Sequence, residues 1–311
     1  MHKVKEIQQE VSCNLCGETT YSVVYPARFS PEDSAHTVLA RFRQCGGDLL
    51  LDRVVRCKRC GLVYINPRLR DDLLLQEYTD ASIQGYKEQF VAQHRGRERA
   101  FTRCLQQINK YVPSRGKLLD VGAAAGTFMA VARRDGWEVS GCEPNTWFCQ
   151  WGKEHYGITI DQGTLFNQKY PENFFDVITL WDVIEHVTDP LSLVAACARL
   201  LKPNGLFVCT YPDIGSWIAR LMQRRWVFLM SVHLYYFTKT TIRSLLQRCG
   251  FKVERIFPHI QILQAGYILY RMQTHSAFLY RICKAVLDIT RMHDRMLPYW
   301  VGINCVIARK E

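Results

Sequence analysis

Apolar and polar positions change their spacing at residue 117. From there on, short continuous apolar runs alternate with segments whose apolar residues recur every three or four positions. Continuous runs are typical of strands buried on both faces, and the wider spacing is typical of amphipathic helices. The alternation predicts a parallel, doubly wound α/β sheet. The predicted strands are 118–121, 138–142, 175–181, 206–211, 251–257 and 303–308, and the predicted helices are 126–135, 191–201 and 240–249.

The chain before this point follows two other patterns. Residues 1–66 hold two close pairs of cysteines and two β-type apolar runs, and a turn-forming Asn-Pro pair closes them. Residues 67–112 are polar, with apolar residues at roughly helical spacing. We therefore predict a small module over 1–66, a helical lead-in over 67–112, and an α/β domain over 113–311 with insertions at about 213–237 and 258–301.

Composition excludes several classes of protein. Hydrophobic residues make up 48% of the 311 residues and charged residues 22%, which excludes a disordered or collagen-like chain. No apolar run approaches the roughly 18 residues that a membrane span needs. The first residues also lack the apolar core of a signal peptide. From these features we expect a cytoplasmic protein.

The formal net charge of +11 is unevenly spread. Residues 118–219 contain six basic and twelve acidic residues, whereas the remainder contains 34 basic and 17 acidic residues. The middle of the chain is therefore unsuited to tracking phosphates. The basic surplus of the flanks suits the phosphates of a nucleotide-linked sugar, of RNA or of an anionic membrane, and it also suits plain solvated helix faces.

One short segment carries the sharpest chemical signal. The run Leu-Leu-Asp-Val-Gly-Ala-Ala-Ala-Gly at 118–126 is an apolar strand followed by small residues that open a helix. Glycines there let a ligand approach the backbone, at the edge where α/β sheets bind ligands. Glu143 ends the next predicted strand and can accept both hydroxyls of a ribose. The alternative is an ordinary strand-to-helix turn.

Further blocks narrow the choice. The segments 118–145, 174–187 and 200–205 together resemble class I S-adenosylmethionine-dependent methyltransferases, over about residues 113–257 and the strand near 303–308. The resemblance implies a Rossmann-like sheet of seven strands, with S-adenosylmethionine as the cofactor. A dehydrogenase would more often show a three-glycine fingerprint, from which this loop departs.

The resemblance also implies roles for residues at matching positions. The first group would surround the methionine end of the cofactor, the second the ribose, the third the adenine and the fourth the reacting sulfonium. An aromatic residue of the lead-in would cover the cofactor or simply pack. The group at the methionine end is Asp120, Gly122, Ala123 and Gly126, and the group at the ribose is Glu143 and Pro144. The group at the adenine is Thr164 and Leu165, the group at the sulfonium is Trp181 and Asp182, and the aromatic residue of the lead-in is Tyr86.

The segment after the fourth strand narrows the methyl acceptor. Amino-group methylases of adenine or glutamine usually carry Asn/Asp-Pro-Pro-Tyr/Phe there, whereas this chain has Trp-Asp-Val-Ile at 181–184, so oxygen and carbon acceptors remain. Such acceptors generally need a base. Glu185 and His186 are candidates, as are His233 and Tyr236 in the insertion after the fifth strand. Alternatively, the first pair braces its loop and the second packs the insertion.

Two Cys-x-x-Cys-Gly pairs predict a metal site. Cys13, Cys16, Cys57 and Cys60 would present four thiolates to one tetrahedral zinc ion. Four protein ligands leave no open position, so the zinc would be structural. A single Cys-x-x-Cys pair could be redox-active, but two matched pairs favour a metal site. Joined to this core, the four-cysteine module resembles methyltransferases of bacterial sugar and polysaccharide biosynthesis.

These features predict methylation of an oxygen or carbon atom on a small or carbohydrate-type acceptor, such as a nucleotide- or lipid-linked sugar. An RNA methyltransferase also suits the zinc module and the basic flanks, and a non-catalytic binding protein with the same fold is a third alternative. The aromatic and basic segment 264–300 is typical of an interfacial membrane helix, a homodimer interface or a helical cap. The trio Asp182, Glu185 and His186 resembles a divalent-metal pattern of some quinone O-methyltransferases.

Overall fold

The computed structural model describes residues 3–30, 32–36, 50–79, 84–273 and 277–311. Its N-terminal part contains short strands, followed by two helices where the sequence predicts helices. The bounds are α1 Val4–Ile7, β1 Gln8–Gln9, β2 Tyr21–Tyr25, β3 Val54–Cys57, β4 Val63–Ile65, β5 Arg68–Leu69, α2 Asp71–Thr79 and α3 Gln84–Asn109.

Alternating strands and helices follow, as the spacing of apolar residues predicts. The first group comprises β6 Lys117–Val121, α4 Thr127–Arg134, β7 Glu138–Glu143, α5 Thr146–Tyr156, β8 Asp161–Gln162, β9 Phe175–Leu180, α6 Pro190–Leu200 and β10 Leu201–Pro212. The second group comprises α7 Trp217–Met222, β11 Tyr235–Tyr236, α8 Lys239–Arg248, β12 Phe251–Pro258, β13 Gln261–Gln264, α9 Ala265–Gln273, α10 Ala277–Thr290, β14 Met296–Tyr299 and β15 Ile303–Lys310. The residues at the centre of β6, β9 and β10 are buried, which explains their continuous apolar runs.

Seven strands form one sheet in the order β12-β15-β10-β9-β6-β7-β8. Neighbours from β10 to β8 are parallel, whereas β15 lies antiparallel between β10 and β12. The sheet is therefore mixed rather than parallel throughout. The sequence pattern does not show this, because an apolar run does not encode the direction of a strand. The chain order reverses between β6 and β9, which leaves a crevice at their carboxyl ends where such folds bind ligands.

The insertion after β10 joins the N-terminal strands. Strand β11 extends a second sheet of order β11-β4-β3-β2, through antiparallel pairing of Tyr235 with Tyr64 and of Tyr236 with Val63. Trp226 of the insertion packs in the same apolar cluster as Val63 and Tyr236. The insertion and the cysteine-bearing strands are therefore packed together, although they are far apart in the chain.

The insertion between β12 and β15 packs against the lead-in helix α3. It contains the β13–β14 hairpin and helices α9 and α10. Strand β13 packs against α3 so closely that a Cβ added at Gly96 would collide with the carbonyl oxygen of Ile262. No helix among the described residues combines the length and the apolar character that crossing a bilayer demands.

Candidate active site

A cavity of about 700 Å³ opens at the carboxyl ends of β6, β7 and β9. Its size is within the range of cofactor and small-molecule sites. Helix α3 and both insertions contribute to its wall, the second insertion through Gln261. The predicted site residues that line it are Asp120, Gly122, Ala123, Glu143, Pro144, Thr164, Leu165, Trp181, Asp182, Glu185, His186 and His233.

Two glycines shape the loop between β6 and α4. Gly122 and Gly126 both have φ of 70°, in the left-handed region that favours glycine. A Cβ added at Gly122 would lie 2.5 Å from Cγ2 of Val183, so this position has no room for a side chain. Gly126 forms the N-cap of α4 and is outside the set of lining residues. The loop thus presents backbone rather than side chains to a ligand.

Two buried carboxylates face the cavity from neighbouring strands. Glu143 accepts hydrogen bonds from the backbone N–H groups of Ala124 and Asn145, both at 2.9 Å, and Asp120 accepts one from the Thr179 hydroxyl at 2.6 Å. Burial raises the pKa of Asp120 to about 7; the Thr179 hydrogen bond opposes this shift and the charge of Glu143 adds to it. Burial also raises the pKa of Glu143, against its two backbone hydrogen bonds. Two carboxylates in the wall of one cavity favour a cationic ligand.

The far end of the cavity is built after β7 and β8. Pro144, Thr164 and Leu165 line it, as the resemblance implies. Asn145 caps α5 by accepting two backbone N–H groups of the first turn, at 3.0 and 3.3 Å. Phe148 on that helix also lines the cavity, although the sequence pattern does not single it out. Its aromatic face suits a planar base.

Helix α3 supplies further lining residues that the sequence motifs do not mark. Phe90 packs edge-on against Phe148 with ring centroids 5.0 Å apart, and the Arg97 guanidinium lies 5.3 Å from the Phe90 ring centroid. Both residues line the cavity. The predicted lid residue, Tyr86, lies one helical turn before Phe90, and its side chain is outside the part of the chain that the structure describes.

The loop after β9 begins with two residues that border the cavity. Trp181 packs against Phe101 and Phe128, with ring centroids 5.4 and 4.8 Å away. Its indole Nε1 is buried and has no hydrogen-bond partner among the described residues. The next residue, Asp182, has φ of 56°, and its backbone N–H donates to the Thr210 hydroxyl at 2.8 Å. An aromatic wall and a carboxylate therefore meet where the resemblance implies the reacting sulfonium.

Glu185, His186 and His233 form a compact cluster in the cavity wall. Their potential ligand atoms all lie within 4.8 Å of one another, and the two imidazole centroids are 4.7 Å apart. Nδ1 of His186 donates to the Val232 carbonyl at 2.9 Å, and Nδ1 of His233 donates to the Phe228 carbonyl at 2.8 Å. In the neutral rings these bonds make Nε2 the basic nitrogen.

Burial sets the charge states of this cluster. It raises the pKa of Glu185 well above its usual range, and the charge of Asp182 adds to the effect. Oε2 of Glu185 has no hydrogen-bond partner among the described residues. Burial lowers the pKa of His186, against the hydrogen bond to Val232 and the charge of Asp182. His186 is therefore neutral at neutral pH, the form that can accept a proton.

Two candidate residues lie outside this cluster. Tyr236 lies fully buried in β11, and its hydroxyl donates to the Met230 carbonyl at 2.8 Å and accepts from the Met230 N–H at 3.2 Å. It does not line the cavity, so its position fits a structural role rather than that of a base. In the possible metal cluster, His233 takes the place expected for Asp182 beside Glu185 and His186.

The four predicted thiols converge on one point. The Sγ atoms of Cys13 and Cys60 are 3.4 Å apart, those of Cys16 and Cys57 are 3.5 Å apart, and all four lie within 4.8 Å of one another. The sulfurs of a tetrahedral zinc site with ~2.3 Å bonds are about 3.8 Å apart, so this spacing fits such an ion. The glycine after each pair has a left-handed φ, 74° and 76°, which permits the two tight turns.

The seven-stranded sheet, with its cavity at the switch point, has the class I methyltransferase fold. A family model described as a methyltransferase domain matches residues 93–256, more than half of the chain, and the chain belongs to this family. A solved S-adenosylmethionine-dependent methyltransferase from Thermotoga maritima, described as a possible histamine N-methyltransferase, is similar in structure. Its TM-score is 0.50 over 76% of this chain and 100% of that chain, at 15% identity, and it shows the fold alone.

Curated relatives match part of the chain. Ubiquinone biosynthesis O-methyltransferases of Yersinia enterocolitica and Klebsiella pneumoniae are 32% and 36% identical over 123 residues. The match covers 37% of this chain and 50% of each relative. The chain thus spans about half the length of the curated relatives that it matches, and their acceptor does not carry over by similarity alone.

Proposed function

We propose that this methyltransferase acts on a hydroxyl group of a small acceptor with an apolar, aromatic body. The cluster of Glu185, His186 and His233 supports this proposal, because it places the neutral imidazole of His186 beside apolar side chains of the cavity. The curated relatives are O-methyltransferases, which supports an oxygen acceptor. Methylation of carbon, which the sequence leaves open, stays a prediction.

The cavity residues fit the cofactor on two counts. Asp120 and Glu143 together favour a cation, and Gly122 lines the cavity with backbone rather than with a side chain. When bound, S-adenosylmethionine supplies an electrophilic methyl group on a cationic sulfonium. We assign the methionine end to Asp120, Gly122 and Ala123, the ribose to Glu143 and Pro144, the adenine to Thr164 and Leu165, and the surroundings of the sulfonium to Trp181 and Asp182.

In the proposed reaction His186 removes the acceptor proton. The bond from Nδ1 to the Val232 carbonyl fixes the ring, and Nε2 would take the proton while the methyl group passes from the sulfonium, whose methyl–sulfur bond breaks, to the acceptor oxygen. His233 packs edge-on against His186 and holds its orientation. The protein thus contributes alignment and a base, the two things that transfer to a hydroxyl requires.

The wall around this cluster favours an aromatic acceptor. Phe228, Met230 and Val232 of the first insertion and Val187 after β9 all line the cavity. Apolar walls favour a ring, whereas they would leave several hydroxyls of a sugar without hydrogen-bond partners. A carbohydrate-type acceptor remains the second candidate, and the observation that favours it is the four-thiol cluster, on which the resemblance to sugar-modifying methyltransferases rests.

We also propose that Cys13, Cys16, Cys57 and Cys60 hold a structural zinc ion. Their spacing supports this, and four thiolates leave no open position for chemistry. Metal analysis of the purified chain should find about one zinc per chain, as expected for four ligands around one ion. A chain that folds and methylates without bound metal would contradict the assignment.

The acceptor is tested by offering methyl-labelled S-adenosylmethionine with three acceptors in parallel. These are a catechol-type phenol, a nucleotide-linked sugar and total RNA. We expect label in the phenol. Transfer only to the sugar would establish the second candidate, and transfer to RNA would contradict the proposal. Cofactor binding without transfer to any acceptor of a cell extract would support the non-catalytic alternative.

Replacing His186 with Gln should lower kcat on the order of a hundredfold, the usual contribution of a general base, while cofactor affinity stays unchanged. Because burial lowers the pKa of His186, the wild-type kcat should be flat through neutral pH. It should fall only below the ordinary histidine value of about 6.5, as the ring becomes protonated. The pH profile of kcat checks both points, and the variant should lose the acid limb. His155→Gln, on the exposed side of α5, is the control.

Cofactor binding near neutral pH should release protons from Asp120. Its pKa is raised to about 7 before binding, so it is partly protonated there, and a cation in the cavity then favours the ionised form. Near pH 7 we expect release of about half a proton. Titration calorimetry in two buffers of different ionisation heat measures the release. Asp120→Asn should abolish it, and equal release by that variant would show that another group titrates.

A further inference from the structure

Helix α10 carries an apolar stripe on its solvent side. Phe278, Ile282, Val286 and Ile289 expose 72%, 47%, 53% and 82% of their surface. Their spacing of four, four and three residues places them within a sector of about 80° around the helix axis. Apolar residues at such spacing normally face a core, whereas these face water.

The opposite side of α10 holds the helix in place. Cys283 and Leu287 are half-buried there, and the helix lies against α9. Met292 donates its backbone N–H to the Leu287 carbonyl at 3.3 Å just after the helix ends. The exposed stripe is therefore not what anchors the helix, and its side chains are open to a partner.

The charges around the stripe favour one kind of partner. The exposed basic residues of this segment are Arg281, Lys284, Arg291 and Arg295. Arg281 flanks the stripe, about 100° from its centre, Lys284 lies on the far side of the helix, and Arg291 and Arg295 follow the helix end. Of the two acidic residues, Asp288 is already paired with Lys284 at 2.6 Å and with His293 at 2.9 Å, and Asp294 is the other. The segment 277–300 therefore has four basic residues against two acidic ones, a net positive charge that opposes pairing with a second copy and attracts anionic phospholipid headgroups.

We propose that this face of α10 docks on the surface of a bilayer that contains anionic phospholipids. The apolar stripe enters the interface, and the basic side chains meet the lipid phosphates. An apolar face beside Lys and Arg residues is the combination that interfacial helices use, and their binding combines apolar burial with charge attraction. The proposal does not depend on which acceptor the enzyme methylates.

The test is cosedimentation of the full, zinc-loaded chain with vesicles. We expect binding to phosphatidylcholine–phosphatidylglycerol vesicles, weakened by salt, and much less binding to phosphatidylcholine alone. The double change Phe278→Ser and Ile289→Ser should weaken binding on the order of tenfold or more, since two large apolar side chains no longer enter the interface. The matched control is Val23→Ser, which alters a side chain that is 52% exposed on β2.

Cofactor affinity and the thermal midpoint verify that each variant is folded. Equal binding of wild type and double variant to the anionic vesicles would overturn the proposal. So would a wild-type dimer in sedimentation equilibrium that the double change dissociates, because the stripe would then be covered by a second copy.

Discussion

Glu143→Ala should raise the dissociation constant for S-adenosylmethionine on the order of a hundredfold or more. Hydrogen bonds to a charged group contribute about 1.5–3 kcal/mol each, and a ribose offers two hydroxyls, so the loss amounts to at least two factors of ten. The change also removes the acceptors that hold the N–H groups of Ala124 and Asn145, which loosens both loops around the cofactor. Calorimetric titration of the folded variant measures the effect.

The matched control for this prediction lies on the same strand. Glu138 begins β7, is exposed and pairs with Lys117 away from the cavity, so Glu138→Ala should leave the affinity unchanged. Glu143→Gln keeps the size of the side chain and one acceptor oxygen, and it should fall between wild type and the alanine variant. Wild-type affinity in Glu143→Ala would refute the proposed ribose contact.

The double change Cys57→Ser and Cys60→Ser should lower methyl transfer by at least about a hundredfold, because structural zinc contributes folding free energy and the acceptor wall depends on that fold. Strand β11 pairs with β4, which lies just beyond the thiols. The Leu51 N–H donates to the Ser231 hydroxyl at 2.9 Å, and Arg68 donates to the Tyr235 hydroxyl at 2.9 Å. Loss of the proposed zinc ion should therefore weaken these supports of the insertion that carries His233.

Cofactor binding should be nearly unchanged in the same variant. The residues assigned to the cofactor lie at the ends of β6, β7, β8 and β9, in a sheet to which the cysteine-bearing strands contribute no strand. Zinc content, transfer rate and cofactor affinity are measured together, and Cys283→Ser on α10 is the control. An equal loss of affinity and transfer would show that the whole chain unfolds, and full activity without zinc would show that the thiol cluster does not support the acceptor wall.

The main sheet and the cofactor loop could be predicted because their signals are local. Buried strands have continuous apolar runs, and the turn at Gly122 needs a glycine, so both leave a mark in the sequence. Helix α5 is not among the predicted helices, although the sequence contains both residues that cap it. Asn145 precedes the helix, and Gly157, with φ of 59°, follows it. Attention to these cap residues would have found the helix.

The acceptor side could not be predicted in the same way. Strand β11 has only two residues and no periodic pattern, so its pairing with β4 depends on packing between distant parts of the chain. For the same reason no spacing shows that His233 lies beside His186. Phe90 and Arg97 carry no motif, and they reach the cavity only because α3 packs across it. The division at residues 66 and 112 stays a prediction.

The proposed methylation of a small aromatic acceptor is tested most directly by following a labelled methyl group in a cell extract. Wild-type protein and Glu143→Ala are each incubated with the extract and methyl-labelled S-adenosylmethionine, and the label is measured in organic-extractable small molecules, water-soluble small molecules and RNA. We expect label in the organic-extractable fraction with wild type and its loss with Glu143→Ala. Label in RNA, or equal labelling by both proteins, would contradict the proposed methylation of a small aromatic acceptor.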